Sequence, residues 1–257
     1  MTQSREITYV STPMDVSMAD KWYEVATLDH FWIRRRFEVL QKVAGSLIAE
    51  AKQLAEVGCG NGLLQRQIEE AYGREVVGCD LNEYALKRNV SVRSPVLCYD
   101  IFAKSKELEK RFDVIFLFDV LEHIQEESFF LEAIKFHLAT GGRILVNVPA
   151  GQWAYSAYDV AAGHVRRYSI GRLRQAGEPL NLTLERWSYW GLPLLAPLLL
   201  RKAWLWGQED KDKIISEGFD SRTKFLDRCL AFLARCEPIP QHFLGTSLLA
   251  VLRAETV

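Results

Sequence analysis

The run Leu54-Ala55-Glu56-Val57-Gly58-Cys59-Gly60-Asn61-Gly62 constrains this chain more than any other stretch. An apolar run ending in alternating glycines lets a buried strand turn sharply into a helix, and bare backbone amides at the positive end of that helix then face a ligand. A second apolar run, Val76-Val77-Gly78-Cys79-Asp80, ends in an acid. At the end of the next strand such an acid accepts two hydrogen bonds from a ribose diol. The two runs together predict a site for a nucleotide-type ligand. A dinucleotide fingerprint places a glycine three positions after the second one, where Leu63 stands here. The G-x-G-x-G spacing therefore disfavours a pyrophosphate, and with it a nicotinamide oxidoreductase. Glu56, beside the turn, suits a cationic amine or sulfonium better than phosphates.

Apolar runs rich in β-branched residues at 53–57, 75–80, 95–98, 112–118 and 143–148 predict buried parallel strands. Amphipathic spacing at 62–72, 82–90 and 126–138 predicts helices between them, with Asn82 as an amino-terminal cap. Gly141-Gly142 reads as a stop and turn, and Pro149 ends the fifth strand. The alternation predicts an α/β fold with a doubly wound sheet and ligands at the carboxyl edge of its strands. Two further strands are expected at 182–187 and 246–254, separated by a stretch at 191–245 too long for a turn.

Four motifs follow one another from Lys52 to Pro149: the glycine loop, Asp80, Tyr99-Asp100, and Phe112-Asp113-Val114-Ile115-Phe116-Leu117-Phe118-Asp119-Val120-Leu121-Glu122-His123. In this order they resemble a class I S-adenosylmethionine (SAM)-dependent methyltransferase. The resemblance implies a Rossmann-like, mostly parallel seven-stranded sheet with a reversed last strand and a helical insertion. It makes 1–257 one domain: a helical lid at 1–50, the cofactor core at 51–190, a cap at 191–245 and the last strand at 246–257. It implies SAM as cofactor, with Glu56 near the methionine end and Gly58, Gly60 and Gly62 letting the backbone approach. Asp80 takes the ribose hydroxyls, Asp100 and Ile101 hold the adenine edge, and Leu81 covers one adenine face. Phe118 and Asp119 line the cofactor at the end of the fourth predicted strand. A helix-capping acid is the other reading of Asp80, and a solvated turn acid the other reading of Asp100.

His123 titrates near neutrality when unperturbed and is one candidate for removing a proton from an acceptor hydroxyl; capping the next helix together with Glu122 is the alternative. The stretch Ala157 to Ser169 contains Gly163-His164-Val165-Arg166-Arg167-Tyr168, rich in donors for carboxylate, phosphate or sugar oxygens. It resembles a segment of bacterial methyltransferases linked to sugar and cell-surface polysaccharide synthesis. His164 is the leading base candidate, and Tyr158, Arg166, Arg167 and Tyr168 are candidates for acceptor contacts; surface ion pairs and a helix start are the structural alternative. Trp32 and Arg35, in an aromatic-plus-arginine segment before the first predicted strand, are candidate lid residues facing the acceptor, or part of a helix packed on the sheet.

The chain carries 32 Lys and Arg against 33 Asp and Glu, a formal charge of −1, so no global field draws it to nucleic acid and a small-molecule acceptor is expected. Five cysteines without a C-x-x-C pair, and a polar amino end with no apolar leader segment, fit the cytoplasm. The apolar stretch from Trp190 to Trp206 is broken by Pro193 and Pro197 and is too short to cross a bilayer. It lines a pocket for a lipid-linked acceptor, rests in a membrane interface, or packs as an ordinary cap helix. No histidine, cysteine or carboxylate spacing matches a metal site, so no metal is expected. The reading is transfer of a methyl group from SAM to a small-molecule oxygen, sugar- or lipid-linked. A SAM-binding scaffold without turnover is the alternative, and the oligomeric state is left open.

Overall fold

The computed structural model describes residues 6–16, 20–211, 213–215 and 224–255. Among these residues one mixed sheet has eight strands: β1 (Ile7–Tyr9), β2 (Leu54–Val57), β3 (Val77–Asp80), β4 (Val96–Cys98), β5 (Phe112–Phe118), β6 (Leu138–Pro149), β7 (Leu182–Trp190) and β8 (Ser247–Ala254). Their spatial order is β1-β4-β3-β2-β5-β6-β8-β7. The first six run parallel, and β8 lies antiparallel between β6 and β7. Helices α1 (Asp20–Val25), α2 (Phe31–Glu50), α3 (Leu63–Tyr72), α4 (Glu83–Leu86), α5 (Glu127–His137), α6 (Ala157–Ala162), α7 (Ile170–Gly177), α8 (Leu195–Trp204) and α9 (Lys224–Arg235) complete the architecture.

Strand β5 shows why the sheet sits in the middle. Successive side chains of a strand point to opposite faces, and both faces here meet apolar layers. Val114 and Phe116 join the cluster that α2 and α3 supply through Leu40, Ile48, Leu64 and Ile68. Ile115 and Leu117 join the opposite cluster, with Phe130 and Ile134 of α5 and Leu173 of α7. Helix α2 can serve because Ile33, Leu40, Val43, Ala44, Leu47 and Ile48 recur at helical spacing on its buried side.

The topology fixes the site. Strand β2 has β3 on one side and β5 on the other, so the order of the sheet reverses there. The loops after β2 and β5 leave in opposite directions and open a crevice at the carboxyl edge. Strand β7 runs in the direction of β6, so the insertion after it emerges at that same edge. Helix α9 is fastened over α2, where the Asp227 carboxylate accepts from the Phe31 amide at 3.2 Å and from Arg34 at 3.3 Å. The 216–223 portion of the insertion lies outside the described residues, as do 1–5 and 17–19 of the expected lid.

Three expectations need correction. The sheet has an eighth strand: β1 pairs with β4 at the edge, and the amides of Val10 and Ser11 donate to the Cys98 carbonyl. Three residues in a polar stretch carry too short a pattern to read as a strand. Gly141-Gly142 is no turn between elements but part of a bulge inside β6, since the register steps from Phe112 opposite Leu138 to Val114 opposite Arg143, with Gly141 at φ 71°. Helix α4 ends at Leu86 rather than near 90, although Asn82 caps it as expected, accepting from the Ala85 amide at 3.1 Å.

Trp190 closes the core at the end of β7, and its indole N–H donates to Asn147 Oδ1 at 3.0 Å, both residues being fully buried. Trp190→Phe keeps a ring and removes the donor, leaving a buried amide oxygen unsatisfied. A loss of about 1–3 kcal/mol is expected, seen as a lower denaturant midpoint at unchanged slope. A midpoint equal to wild type would show that this bond contributes nothing.

Candidate functional site

The turn after β2 is shaped by its glycines at two points where no side chain fits. Gly58 stands at φ 76°, and a Cβ there would meet Val120 Cγ2 at 2.4 Å. Gly60 stands at φ 52°, and a Cβ there would meet the Tyr23 ring at 2.8 Å. The Gly58 and Cys59 amides donate to the Cys79 carbonyl, and the Gly60 amide donates to Asp80 Oδ2 at 2.8 Å. Asp80 Oδ1 accepts from the Leu81 amide at 2.7 Å and the Asn82 amide at 2.9 Å. Burial pushes the Asp80 carboxyl up, and the three amides pull against it. The acid that ends β3 thus fixes the loop that ends β2.

Beneath this loop lies a cavity of about 300 Å³ bounded by Glu56, Gly58, Gly60, Asp80, Phe118, Asp119 and His123 on the sheet side, and by Trp22 and Tyr23 of α1 and Arg36 of α2 on the other. Glu56 is 3% exposed, its Oε2 has no hydrogen-bond partner, and burial pushes its carboxyl up to about 8 against the pull of Arg36. A buried carboxylate oxygen left open toward a cavity, beside a glycine cradle, fits the ammonium and sulfonium of SAM. The residues present match the cofactor that the motifs imply.

Asp119 follows β5 with φ 59°, a left-handed conformation for a residue with a side chain. Its carboxylate accepts from Arg36 and, at 2.8 Å, from the Asn147 amide nitrogen. It borders the first cavity and also a second one of about 320 Å³, and Trp22 is the other residue common to both walls. The second cavity is bounded by Glu122, Tyr158, His164 and Arg167 of the core, by His30, Phe31 and Trp32 of the segment entering α2, and by Leu194, Leu198, Arg201, Leu226 and Leu230 of the insertion.

The two candidate bases fall on different sides of that partition. His123 borders the first cavity, and burial, helped by the charge of His164, presses it down to about 3. His164 borders the second, with Nδ1 2.9 Å from Asp159 Oδ1. Asp159 also receives Arg167 Nε at 2.9 Å. Although burial pushes the Asp159 carboxyl up, the His164 hydrogen bond and the Arg167 charge hold it at about 2. An acid so strong is the acceptor, which makes Nδ1–H the donor in this bond. Glu122 is 1% exposed with Oε2 unpartnered, and burial, then the charge of Asp119, drives its carboxyl far toward the neutral form.

The structure separates the remaining candidates. Trp32, Tyr158 and Arg167 border the second cavity. Arg35 does not: it is buried against Glu237 and Glu38, and it is Arg36, one turn beyond Trp32 on the same helix face, that reaches the cleft. Arg166 is spent on the carbonyls of Ile124 and Gln125 and on Glu127. The Tyr168 hydroxyl, in a fully buried side chain, donates to Glu127 Oε2 at 2.7 Å and lies 3.1 Å from the Leu121 carbonyl. These two latch their segment to the loop after β5 and border neither cavity. Leu81, Asp100 and Ile101 also lie outside the first cavity's wall, where the chain from Ser11 to Met14 bonds to Asp100 and Leu81. Asp100 caps the turn that Ile101 begins. Gly62 is the left-handed start of α3, set against Asn89. The expectation of no metal-type grouping also changes: Glu122, His123 and His164 present ligand atoms within 4.8 Å of one another. Spacing could not show this, because His164 is brought in from beyond β6.

Arg36, Glu122, Asp159 and Arg201 are site residues that sequence reasoning missed. Asp159 and Arg36 had a readable signal, the first lying in the same short donor-rich segment as His164 and the second a helical turn after Trp32. Glu122 had only its place at the end of β5, and Arg201 had none.

Comparison with known proteins gives the same direction. Residues 28–189 match the family model for a methyltransferase domain. The chain is 32% identical over 123 residues to the ubiquinone biosynthesis O-methyltransferase of Idiomarina loihiensis, covering 44% of this chain and 49% of that protein. It spans about half the length of the curated relatives it matches. Among solved structures, a SAM-dependent methyltransferase from Archaeoglobus fulgidus superposes with a TM-score of 0.53 at 16% identity over 85% of this chain and 94% of that one. The N-methyltransferase NodS from Bradyrhizobium japonicum, in complex with S-adenosyl-L-homocysteine, gives 0.55 at 15% over 93% and 99%. At these identities the structures share a fold.

Glu56 makes a pH-dependent contribution whose sign is set by its raised value. The folded protein keeps a proton that the unfolded chain gives up above an ordinary carboxyl pKa, so this contribution is complete in acid and lost as the pH rises to about 8. Glu56→Gln, uncharged throughout, is expected to show a shallower fall in melting temperature between about pH 5 and pH 8. Parallel curves for the two proteins would contradict this.

Proposed function

This chain belongs to the methyltransferase domain family, the class I SAM-dependent methyltransferases, and from that premise we propose that the protein methylates an oxygen of a small lipid-linked acceptor, with His164 as the base. The observation that carries the reading is the pair of cavities meeting at Asp119 and Trp22, one cradled by the glycine loop and the other holding an oriented histidine. Glu56 and Arg36 would hold the amino and carboxyl groups of SAM, the Gly58 and Gly60 backbone its methionine end, and Asp80 its ribose. When bound there, SAM supplies a methyl group on a sulfonium that needs no further activation.

The chain's own residues then have three tasks. Asp159 fixes the His164 ring so that Nε2 takes the proton of an acceptor hydroxyl in the second cavity. Glu122, kept neutral by burial, donates a hydrogen bond to the acceptor. Trp22 and Tyr23 roof the first cavity and keep water from it. The oxygen assignment is supported by the relative named as a ubiquinone biosynthesis O-methyltransferase.

A lipid-linked acceptor is supported by the outer wall of the second cavity, formed by Phe31, Leu194, Pro197, Leu198, Leu226 and Leu230. Beside it α8 and α9 expose Leu200, Trp204, Phe225 and Phe232, with Trp206 just beyond α8 at 82% exposure. Among the described residues no helix is long and apolar enough to cross a membrane. A patch of this kind suits the headgroup region of the cytoplasmic leaflet, from which a lipid-linked substrate would enter. A sugar-linked acceptor, the other reading of the resemblance, matches this apolar wall less well.

Incubation with methyl-labelled SAM and a cell lipid extract is expected to put label into a solvent-extractable product. His164→Gln should lower the rate about 10²–10⁴-fold with SAM affinity retained. Label confined to water-soluble sugars would remove the lipid reading, and an undiminished rate in the variant would remove the base assignment.

A further inference from the structure

The insertion that walls the second cavity is rooted where its two ends approach each other. It leaves the sheet at Gly191, just past β7, and returns through Gly245, shortly before β8. The approach is close: a Cβ at Gly245 would meet the Trp190 carbonyl oxygen at 2.3 Å, and Gly191 stands at φ 77°. Glu237, just past α9, joins the outgoing chain to the returning one. Its Oε1 accepts from the Gly191 amide at 2.7 Å and from Arg35 Nη2 at 3.3 Å, and its Oε2 accepts from the Leu192 amide at 2.9 Å. One carboxylate thus ties both ends of the insertion to α2.

Arg35 and Glu237 border neither cavity, and their side chains are 4% and 1% exposed. Taking such a pair out of water costs about as much as its attraction returns, and an apolar pair of similar volume would serve stability equally well. What the ion pair adds is direction. The two amides it holds open the turn Leu192–Leu194, which leads straight into α8. That turn and helix supply Leu194, Pro197 and Leu198 to the second cavity's wall, and α9, which ends beside Glu237, supplies Leu230. On α2, Arg35 stands between Trp32, in the wall of the second cavity, and Arg36, in the wall of the first. Its Nη1 also donates to Glu38 at 3.3 Å, and Arg235 at the end of α9 bonds to that same carboxylate.

We infer that Glu237 is a positioning residue: through its bonds to Gly191, Leu192 and Arg35 it sets the insertion's apolar wall against α2, and so governs how tightly the second cavity holds a ligand that Glu237 never touches. As a statement about methyl transfer this rests on the second cavity being the acceptor site. The first cavity, walled by the sheet, α1 and Arg36, lies outside its reach.

Two titrations of the full chain test it. Fluorescence of the neutral dye N-phenyl-1-naphthylamine reports the second cavity, with Leu230→Asp in its wall identifying the signal that comes from there, and calorimetry with SAM reports the first. Glu237→Gln is expected to weaken the dye about tenfold at unchanged SAM affinity. Arg35→Gln/Glu237→Gln, which removes both charges, should bring the melting temperature back toward wild type. Its dye affinity should stay low, since the Gly191 and Leu192 amides still lack their carboxylate. With labelled SAM and lipid extract, both variants are expected to need more extract for half-maximal rate and to keep the maximal rate. Wild-type dye affinity in Glu237→Gln, or dye affinity that recovers together with the melting temperature in the double variant, overturns the positioning role. An extract left unlabelled by the wild-type protein while the dye results hold removes the acceptor reading and leaves the positioning of the wall standing.

Discussion

The carboxylate of Asp119 is the contact on which the site depends. It ties four parts of the chain at one point: β5, which it follows; α2, through Arg36; β6, through Asn147; and, through Asn147, Trp190 at the end of β7. To stand there Asp119 takes a positive φ, a conformation that costs on the order of 1 kcal/mol for a residue with a Cβ. Its backbone amide, donating to the Asn147 carbonyl at 2.8 Å, and its two side-chain partners together over-determine the position. Arg36 is steadied in turn between the rings of Trp32 and Phe118, each centred 5.3 Å from the guanidinium carbon. Without this knot the loop after β5 would have no fixed relation to the helix that walls the crevice.

From this point the two cavities diverge in character. On the glycine-loop side, burial and Arg36 act on Glu56 in opposite senses, and burial prevails, so the carboxyl is protonated until something cationic arrives. On the far side Asp159 is the reverse case, an acid whose bonds to His164 and Arg167 outweigh its burial. Two carboxylates near one crevice are thus driven apart by their surroundings, and the proposed reading gives one the recognition of a charge and the other the orientation of a base. The histidines differ likewise: burial and the charge of His164 press His123 down to about 3, whereas His164 has Asp159 as its partner.

Much of the cofactor half could be read from the chain because its features are local. Strand–glycine turn–helix, an acid at the next strand end, and the apolar run 112–118 each occupy a single window with its own periodicity, and β2, β3 and β5 follow from them, whereas the reversed direction of β8 is implied by the family resemblance. The second cavity could not, because its members meet only through topology. Arg201 and Leu226 come from an insertion with no readable motif, and Arg36 rather than Arg35 faces the cleft because the rotation of α2 is set by packing of Ile33, Leu40 and Val43. Arg166 and Tyr168 carried the right chemistry, yet burial against Glu127 and the Leu121 carbonyl turned them to structural use. Donor-rich sequence marks where bonds form; it does not say whether the partner is a ligand or the protein.

A crystal structure with S-adenosyl-L-homocysteine soaked in would test most directly the claim that the partition at Asp119 separates cofactor from acceptor. The expected density fills the first cavity, with the amino group beside Glu56, the ribose at Asp80 and the sulfur directed past Asp119 toward His164. Density in the second cavity, or a first cavity that stays empty at saturating ligand, would contradict the account.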